Sequence, residues 1–263
     1  MVRVILIWLS LCGCNTASAG LLSIIVDDVG NGYQDYQLLQ LNPAITLSVL
    51  PASPYAKNIA VQAQQQAREV MLHLPMQGSR DLNLGPYGLS TQLDEYEFKR
   101  RVYAAIQDYP EATGLNNHMG SQLTQQPQEM GWLMQVLNEQ QLFFVDSRTH
   151  LGSVAEKTAL MYQVPVLRRH VFLDHIDNPV SIYQQWQLAL KLSRKYGHAI
   201  LIAHPRPNSL ALLRQLTLPT DIQLVGLAQR LAWQKQQSSS DLNLRIANTN
   251  INQQRPSIQD GDK

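Results

Sequence analysis

The stretch Ile24-Ile25-Val26-Asp27-Asp28-Val29-Gly30 runs an apolar segment straight into two carboxylates and a glycine. An Ile/Val run without polar alternation is the pattern of a short strand buried on both faces, as in a parallel sheet covered by helices. Neighbouring side chains of a strand point to opposite faces, so the pattern predicts separate roles for Asp27 and Asp28. Adjacent carboxylates repel unless a cation, a shared proton or hydrogen-bond donors relieve them. A loop in which aspartate caps the next turn is the plainer reading, and this stretch alone leaves both open.

The rest of the chain repeats the arrangement. Leu142-Phe143-Phe144-Val145-Asp146 and Val171-Phe172-Leu173-Asp174 again place an aspartate after an apolar run. Histidines stand at the ends of Glu69-Val70-Met71-Leu72-His73, Gly114-Leu115-Asn116-Asn117-His118 and His198-Ala199-Ile200-Leu201-Ile202-Ala203-His204. Further strands are expected at 45–50, 164–167 and 222–225. Between the strands apolar residues fall at helical spacing, as in Leu93, Phe98, Val102 and Ile106, or Ile182, Trp186, Ala189 and Leu190. Helices are predicted over 36–41, 53–66, 91–109, 126–140, 154–161, 181–196, 208–216 and 227–233. Alternating strands and helices imply parallel strands joined by right-handed crossovers. A closed or nearly closed βα barrel and a doubly wound open sheet both satisfy that pattern. Both place a site at the C-terminal strand ends.

A chain of 263 residues with 44% apolar content can hold one large domain with a core, or two small ones. A net charge of +1 argues against a general nucleic-acid binder, which would carry a basic face. Arg3, the apolar run Val4 to Cys14 and the Ala17-Ser18-Ala19 motif read as a signal peptide over 1–19. The run falls well short of the roughly 20 residues a membrane span needs. Leu11-Cys12-Gly13-Cys14 offers a rival lipoprotein reading with a lipid anchor at Cys14. Both cysteines lie in this leader, so cleavage after Ala19 leaves no thiol for disulfides, metal or nucleophilic chemistry. From about Gln234 the composition turns to Gln, Ser, Asn and Asp, and 234–263 is expected to be a disordered polar tail. The folded domain is then 20–233.

The strand ends thus carry Asp27, Asp28, His73, His118, Asp146, Asp174 and His204. With thiols excluded, Asp, Glu and His are left to hold any metal. One carboxylate and two neutral imidazoles leave coordination positions open for water, whose pKa zinc lowers to about 7. A second carboxylate can accept the water's proton and a histidine opposite can protonate a leaving group. Asp174 suits either a site rim or a helix cap. His150, His170, His175 and His198 carry no motif and read as surface or structural groups, and Trp132, Trp186 and Trp233 as packing.

Taken together, Ile25-Val26-Asp27-Asp28-Val29-Gly30, His73-Leu74-Pro75-Met76, Asn116-Asn117-His118-Met119-Gly120-Ser121, Phe144-Val145-Asp146-Ser147 and Ala203-His204-Pro205 carry a resemblance. The chain resembles the divergent polysaccharide deacetylase branch of the NodB-homology, carbohydrate esterase 4 superfamily, over roughly Leu21 to Trp233. The resemblance implies a distorted (β/α)7 barrel, a divalent metal, usually zinc, and hydrolysis of the N-acetyl C–N bond of an envelope carbohydrate. By motif Asp28 resembles the metal-binding aspartate, Asp27 the catalytic base and His73 the first metal histidine. No histidine follows in Leu74-Pro75-Met76-Gln77-Gly78, so His118 stands as the replacement ligand. His204 resembles the general acid, and Asp146 is expected to orient a basic group or that histidine. The family's Arg-x-Pro-Tyr type motif is replaced by Asn116-Asn117-His118-Met119-Gly120-Ser121, leaving Arg148 and Arg206 to substitute for its arginine. The carbohydrate partner, an exported location and the absence of a span in the mature chain complete the expectation. Its alternative is an envelope protein that binds metal or glycan without turnover.

Overall fold

In a computed structural model describing residues 19–80 and 82–253, every pairing in the sheet is parallel. The strands are β1 (Gly20–Val29), β2 (Thr46–Val49), β3 (Val70–Met76), β4 (Ala112–Met119), β5 (Phe143–Asp146), β6 (Val166–Arg168), β7 (Val171–Phe172), β8 (His198–Ala203) and β9 (Ile222–Leu224). Their order is β6-β5-β4-β3-β2-β1-β8-β7, with β9 added beside β1. β6 and β7 end opposite sides of this path, yet only Arg169 and His170 separate them in the chain. Arg169 N donates to Asp146 O at 2.9 Å and His170 N to Ile200 O at 2.9 Å. One interrupted strand therefore pairs with β5 through its first half and with β8 through its second. Counted once, and with β9 set aside, it gives the seven positions of a distorted (β/α)7 barrel, curled into a half-barrel and open at a seam. The open-sheet alternative is set aside.

Helices α1 (Ala56–Gln65), α2 (Glu95–Asp108), α3 (Pro127–Glu139), α4 (Ala155–Met161), α5 (Pro179–Tyr196), α6 (Pro207–Arg214) and α7 (Leu227–Gln253) connect and cover the strands. Period-2 alternation divides the core into two layers. Ile24, Val26, Leu47, Leu72, Phe144 and Leu201 face the helices, while Ile25, Met71, Val145, Leu167, Ile200 and Ile202 fill the interior with Leu227 of α7. Glu69 fixes α7 there, accepting from Leu227 N at 2.5 Å and Ala228 N at 2.6 Å, as a carboxylate does at a helix N-terminus. α7 thus closes the N-terminal end of the barrel and leaves the C-terminal strand ends free.

Several boundaries differ from expectation for local reasons. The segment after β1 is a 3-10 helix, Tyr33–Gln40. α2 starts at Glu95 because Asp94, not Ser90 or Thr91, caps it by accepting from Glu97 N at 2.8 Å. β3 runs through Pro75, where β2 has already ended, so the missing N–H breaks no bond to β2; Leu89 takes up that edge, its N donating to Pro75 O at 2.9 Å. α7 continues past Trp233 to Gln253, across residues where composition predicts no structure. Gln, Lys and Leu are good helix formers, and the side chains of 235–240 are exposed and add nothing to the core. The leader with Cys12 and Cys14, and residues 254–263, lie outside the described residues. Among the described residues no helix is long and apolar enough to cross a membrane.

Candidate metal centre

β1 does not end as a regular strand. Its pairing with β2 shifts register between Val26 and Val29, and Asp28 adopts φ 59°. Left-handed backbone is tolerated by aspartate better than by most residues. The bulge cancels the alternation that would send neighbouring side chains to opposite faces. Asp27 and Asp28 consequently open onto the same cleft, contrary to the simple strand reading.

Asp27 is buried, and both of its oxygens accept from Asn116 Nδ2, at 2.8 and 3.0 Å. That fixes the Asn116 amide, whose Oδ1 accepts from Ser48 Oγ at 2.7 Å and lies 2.8 Å from His73 Nδ1. His73 Nδ1 must then carry a proton, which leaves Nε2 with a free lone pair in the neutral ring. This Nε2 lies 3.2 Å from Asp28 Oδ1, and His118 Nδ1 lies 2.9 Å from the same oxygen. Despite these distances Asp28 Oδ1 is buried without a partner in hydrogen-bond geometry. Three donor atoms from Asp28, His73 and His118, all within 4.8 Å of one another, face a common point.

The electrostatics ask for positive charge at that point. Burial alone would raise the Asp28 carboxyl, but the His118 and His73 rings pull it far below the ordinary carboxylate range. Burial pulls His73 down, and the charges of Asp27 and Asp28 more than reverse this, so it rises. Without an ion, an extra imidazole proton relieves the carboxylates; a divalent cation does the same when the ligands are deprotonated. The donor set of one carboxylate and two imidazoles fits such a cation.

His204 approaches from β8, with Nε2 at 3.7 Å from Asp28 Oδ2. Its Nδ1 lies 2.8 Å from Asp174 Oδ1, and Asp174 Oδ2 also accepts from His204 N at 2.7 Å and Ser209 Oγ at 2.6 Å. Burial raises Asp174, and these donors outweigh it, holding the group below its usual value. Asp174, rather than Asp146, orients this histidine. Asp146 accepts from Arg148 N at 2.8 Å and Ser153 Oγ at 2.8 Å, pinning the loop after β5.

Two participants, Asn116 and Arg169, are not among the candidates the sequence marks, and a third, Asp174, is ambiguous there. Asn116 joins the base to a ligand, and its only signal was a polar residue inside a buried strand. Asp174 fits a rim or a cap equally in the sequence, and here it holds His204. Arg169 lies in the seam and donates to Ser147 O at 2.6 Å and Arg148 O at 2.8 Å, with its guanidinium 5.0 Å from the Phe172 ring centre. Burial lowers its pKa, while the charges of Asp146 and Asp27 oppose that effect. Of the two arginines expected here, Arg148 lines the cleft and Arg206 donates to Asp174 O at 2.6 Å. His150 and His175 are exposed and line no part of the cleft, while Trp186 is core and Trp132 packs on Phe98.

The cleft over these groups measures about 350 Å³, with Met119, Phe172 and Ile202 as apolar walls. Three of the seven non-glycine residues with positive φ among the described residues, Asp28, Met119 and Arg148, line it. Such strain concentrates where geometry is held for function. A larger groove of about 460 Å³ beside α5 and α6 has no carboxylate, imidazole or cation in its lining, so the chemistry lies at the barrel mouth.

A family model described as divergent polysaccharide deacetylase matches residues 24–230. An uncharacterized protein of Haemophilus influenzae is 40% identical over 209 residues, 78% of this chain and 75% of the relative. The uncharacterized protein YibQ of Escherichia coli is 37% identical over 216 residues, 81% of this chain and 68% of the relative. The crystal structure of an uncharacterized protein from Agrobacterium tumefaciens C58 shares the fold, with a TM-score of 0.75 at 20% identity, covering 81% of this chain and 90% of that one.

Proposed function

This chain belongs to the divergent polysaccharide deacetylase family, and from that premise we propose that it is an exported, metal-dependent hydrolase of the N-acetyl group of an envelope carbohydrate. The observation that carries the reading is the buried, unpartnered Asp28 oxygen with two imidazole nitrogens turned toward it. Asp28, His73 and His118 would hold the ion, for which zinc suits the mixed oxygen and nitrogen donors. A bound ion would supply Lewis acidity, polarising the acetyl carbonyl and making water acidic near neutral pH.

The chain's own residues divide the proton work. Asp27, set beside the ion site by the bulge and held by Asn116, accepts the proton of the attacking water. His204, held through Nδ1 by Asp174, presents Nε2 to the cleft and delivers a proton to the leaving sugar amine. Asp174 keeps the imidazole oriented, as a carboxylate does for a catalytic histidine. Arg169 places positive charge near Asp27, in the part of the site where the family's arginine motif is replaced. Met119, Phe172 and Ile202 exclude water from one side of the cleft, which strengthens the polar contacts within it.

One observation favours a second reading, a metal- or glycan-binding protein without turnover: the base is held by a neutral amide, and among the described residues no arginine donates to it. The test is acetate release from N-acetylglucosamine oligomers and peptidoglycan by the metal-loaded protein. Release that disappears in Asp27→Asn while metal stays bound supports the hydrolase. Bound metal without release from either glycan leaves the binding protein.

A further inference from the structure

The seam of the barrel has a second face. Where β6 has left β5 and β7 has not yet joined β8, the first residues of β8 lack a neighbouring strand on that side, and α7 lies against the gap. A cleft of about 300 Å³ opens there and shares no lining residue with the cleft of the metal centre. Its walls bring together Arg168, His170, His198, Arg230 and Trp233.

Arg230 is the unexplained member. It is 4% exposed, and its Nε and Nη1 have no hydrogen-bond partner among the described residues. The guanidinium lies 4.7 Å from the Trp233 ring centre, which accounts for its flat face but not for its N–H edges. Burying a cation without a counter-charge is costly, and natural proteins seldom leave one so. Glu156 is the one carboxylate in the lining, and it lies 3.4 Å from Arg168 instead.

The histidines beside Arg230 are set up as neutral donors and acceptors. His170 Nδ1 accepts from Ile200 N at 3.0 Å, so the proton of the neutral ring is on Nε2. His198 is anchored through Nδ1, 3.2 Å from Tyr196 O. The two rings stand edge to face at 5.2 Å. Such a pair alone suggests a cation site, but two arginines on the same cleft oppose a cation and favour an anion. Burial, with the charges of Arg230 and Arg168 adding to it, holds both rings at about 4, as expected beside unneutralised guanidinium groups.

We infer that this cleft binds a small oxyanion, phosphate or carboxylate, on the guanidinium of Arg230, with His170 and Arg168 beside it. A planar guanidinium edge suits the oxygens of either group, and a neutral imidazole N–H adds a further donor. Such an anion supplies the missing counter-charge at the seam, where the barrel wall is incomplete.

The test is calorimetric titration of the chelator-treated full-length protein with inorganic phosphate and, separately, acetate, at constant ionic strength. Removing metal prevents either anion from reading out the other cleft. Saturable one-to-one binding of one anion is expected, weakened at least tenfold in Arg230→Met and unchanged in Asp28→Ala. The tighter anion identifies the source chemistry. Thermal unfolding supplies a second readout: the bound anion should raise the wild-type midpoint and leave Arg230→Met unmoved. Should Arg230→Met not fold, Arg230→Lys keeps the charge without the planar edge and should still weaken binding at least tenfold. No saturable binding of either anion, or equal binding by the folded Arg230 variants, overturns the inference. So does loss of binding in Asp28→Ala, which would place the anion at the metal centre.

Discussion

The two halves of the barrel mouth are built differently. The half formed by β1, β3 and β4 rests on paired backbone: β3 and β4 stay in register from Met71 opposite Gly114 to Met76 opposite Met119. Asp28, His73 and His118 stand at the ends of these strands, and Asn116 locks His73 and Asp27 to one another. The half formed by β5, β7 and β8 straddles the seam, where β7 contributes only Val171 and Phe172 to pairing. Its polar groups are held by loop and side-chain contacts instead of strand pairing: Arg169 by loop carbonyls and His204 by Asp174. An ion needs donors fixed before it arrives, and paired strands supply that. A proton donor can rest on one well-placed carboxylate. The comparison predicts that damage to the first half removes metal and activity together, and damage to the second removes rate alone.

The largest effect tests the first half. Asp28→Ala, His73→Ala and His118→Ala should each drop bound divalent metal from near one equivalent to near none and abolish acetate release. Elemental analysis of the folded variants measures this. Full metal retention in all of them would show that the paired half does not hold the ion.

Next comes the hub. Asn116→Ala leaves the buried Asp27 without its amide donor and His73 without its orienting acceptor. A stranded buried carboxylate costs about 1–3 kcal/mol or more, visible as a lower urea midpoint. The loss of an orienting partner should also lower metal affinity about 10- to 100-fold. Unchanged stability and affinity would mean that the paired half is less interdependent than its contacts suggest.

Both halves were unequally legible in the sequence, for physical reasons. Asp27, Asp28, His73, His118 and His204 stood out because charged or ligating residues are uncommon directly after apolar strands. Strand order decides what those residues meet, and order is a tertiary fact. Asn116 meets Asp27 across the barrel interior, and nothing local announces it. The bulge that turns Asp28 toward Asp27 reverses the inference drawn from alternation. Arg169 was invisible as a site residue because the two short apolar runs around it read as separate strands. They are halves of one strand broken at the seam, and Arg169 stands in the break. The choice between barrel and open sheet hung on that same break. On the far side, two histidines without a motif read as structural, and only the position of Arg230 gives them a further meaning.

The second half is tested by Asp174→Asn. The change keeps the shape but removes the charge that holds His204 and accepts from Ser209. Metal should remain at one equivalent while kcat for acetate release falls about 10- to 100-fold, the range seen for lost orienting partners. A fall in metal content of the same size would erase the distinction between the halves.

The smallest effect concerns stability at the seam. His170 and His198 are held at about 4 by burial first and by neighbouring positive charge second, whereas an unfolded histidine titrates near about 6.5. Between those values the unfolded chain binds more protons than the folded one, so stability falls as pH is lowered through that window. Both rings are only half-buried, and solvent screening limits the effect to on the order of 0.5 M in urea midpoint between pH 7 and pH 5. His170→Gln removes one titrating ring and offers Ile200 N an amide oxygen in its place, so its urea midpoint should fall less steeply over the same range. The measurement belongs in chelator-treated protein and in buffer free of phosphate and carboxylate, since an anion on Arg230 would raise both rings and flatten the wild-type curve as well. A wild-type slope that flattens on adding phosphate, toward that of His170→Gln, would tie the acid sensitivity of the seam to its missing counter-charge. A slope indifferent to the substitution would place the acid-sensitive groups in the paired half instead.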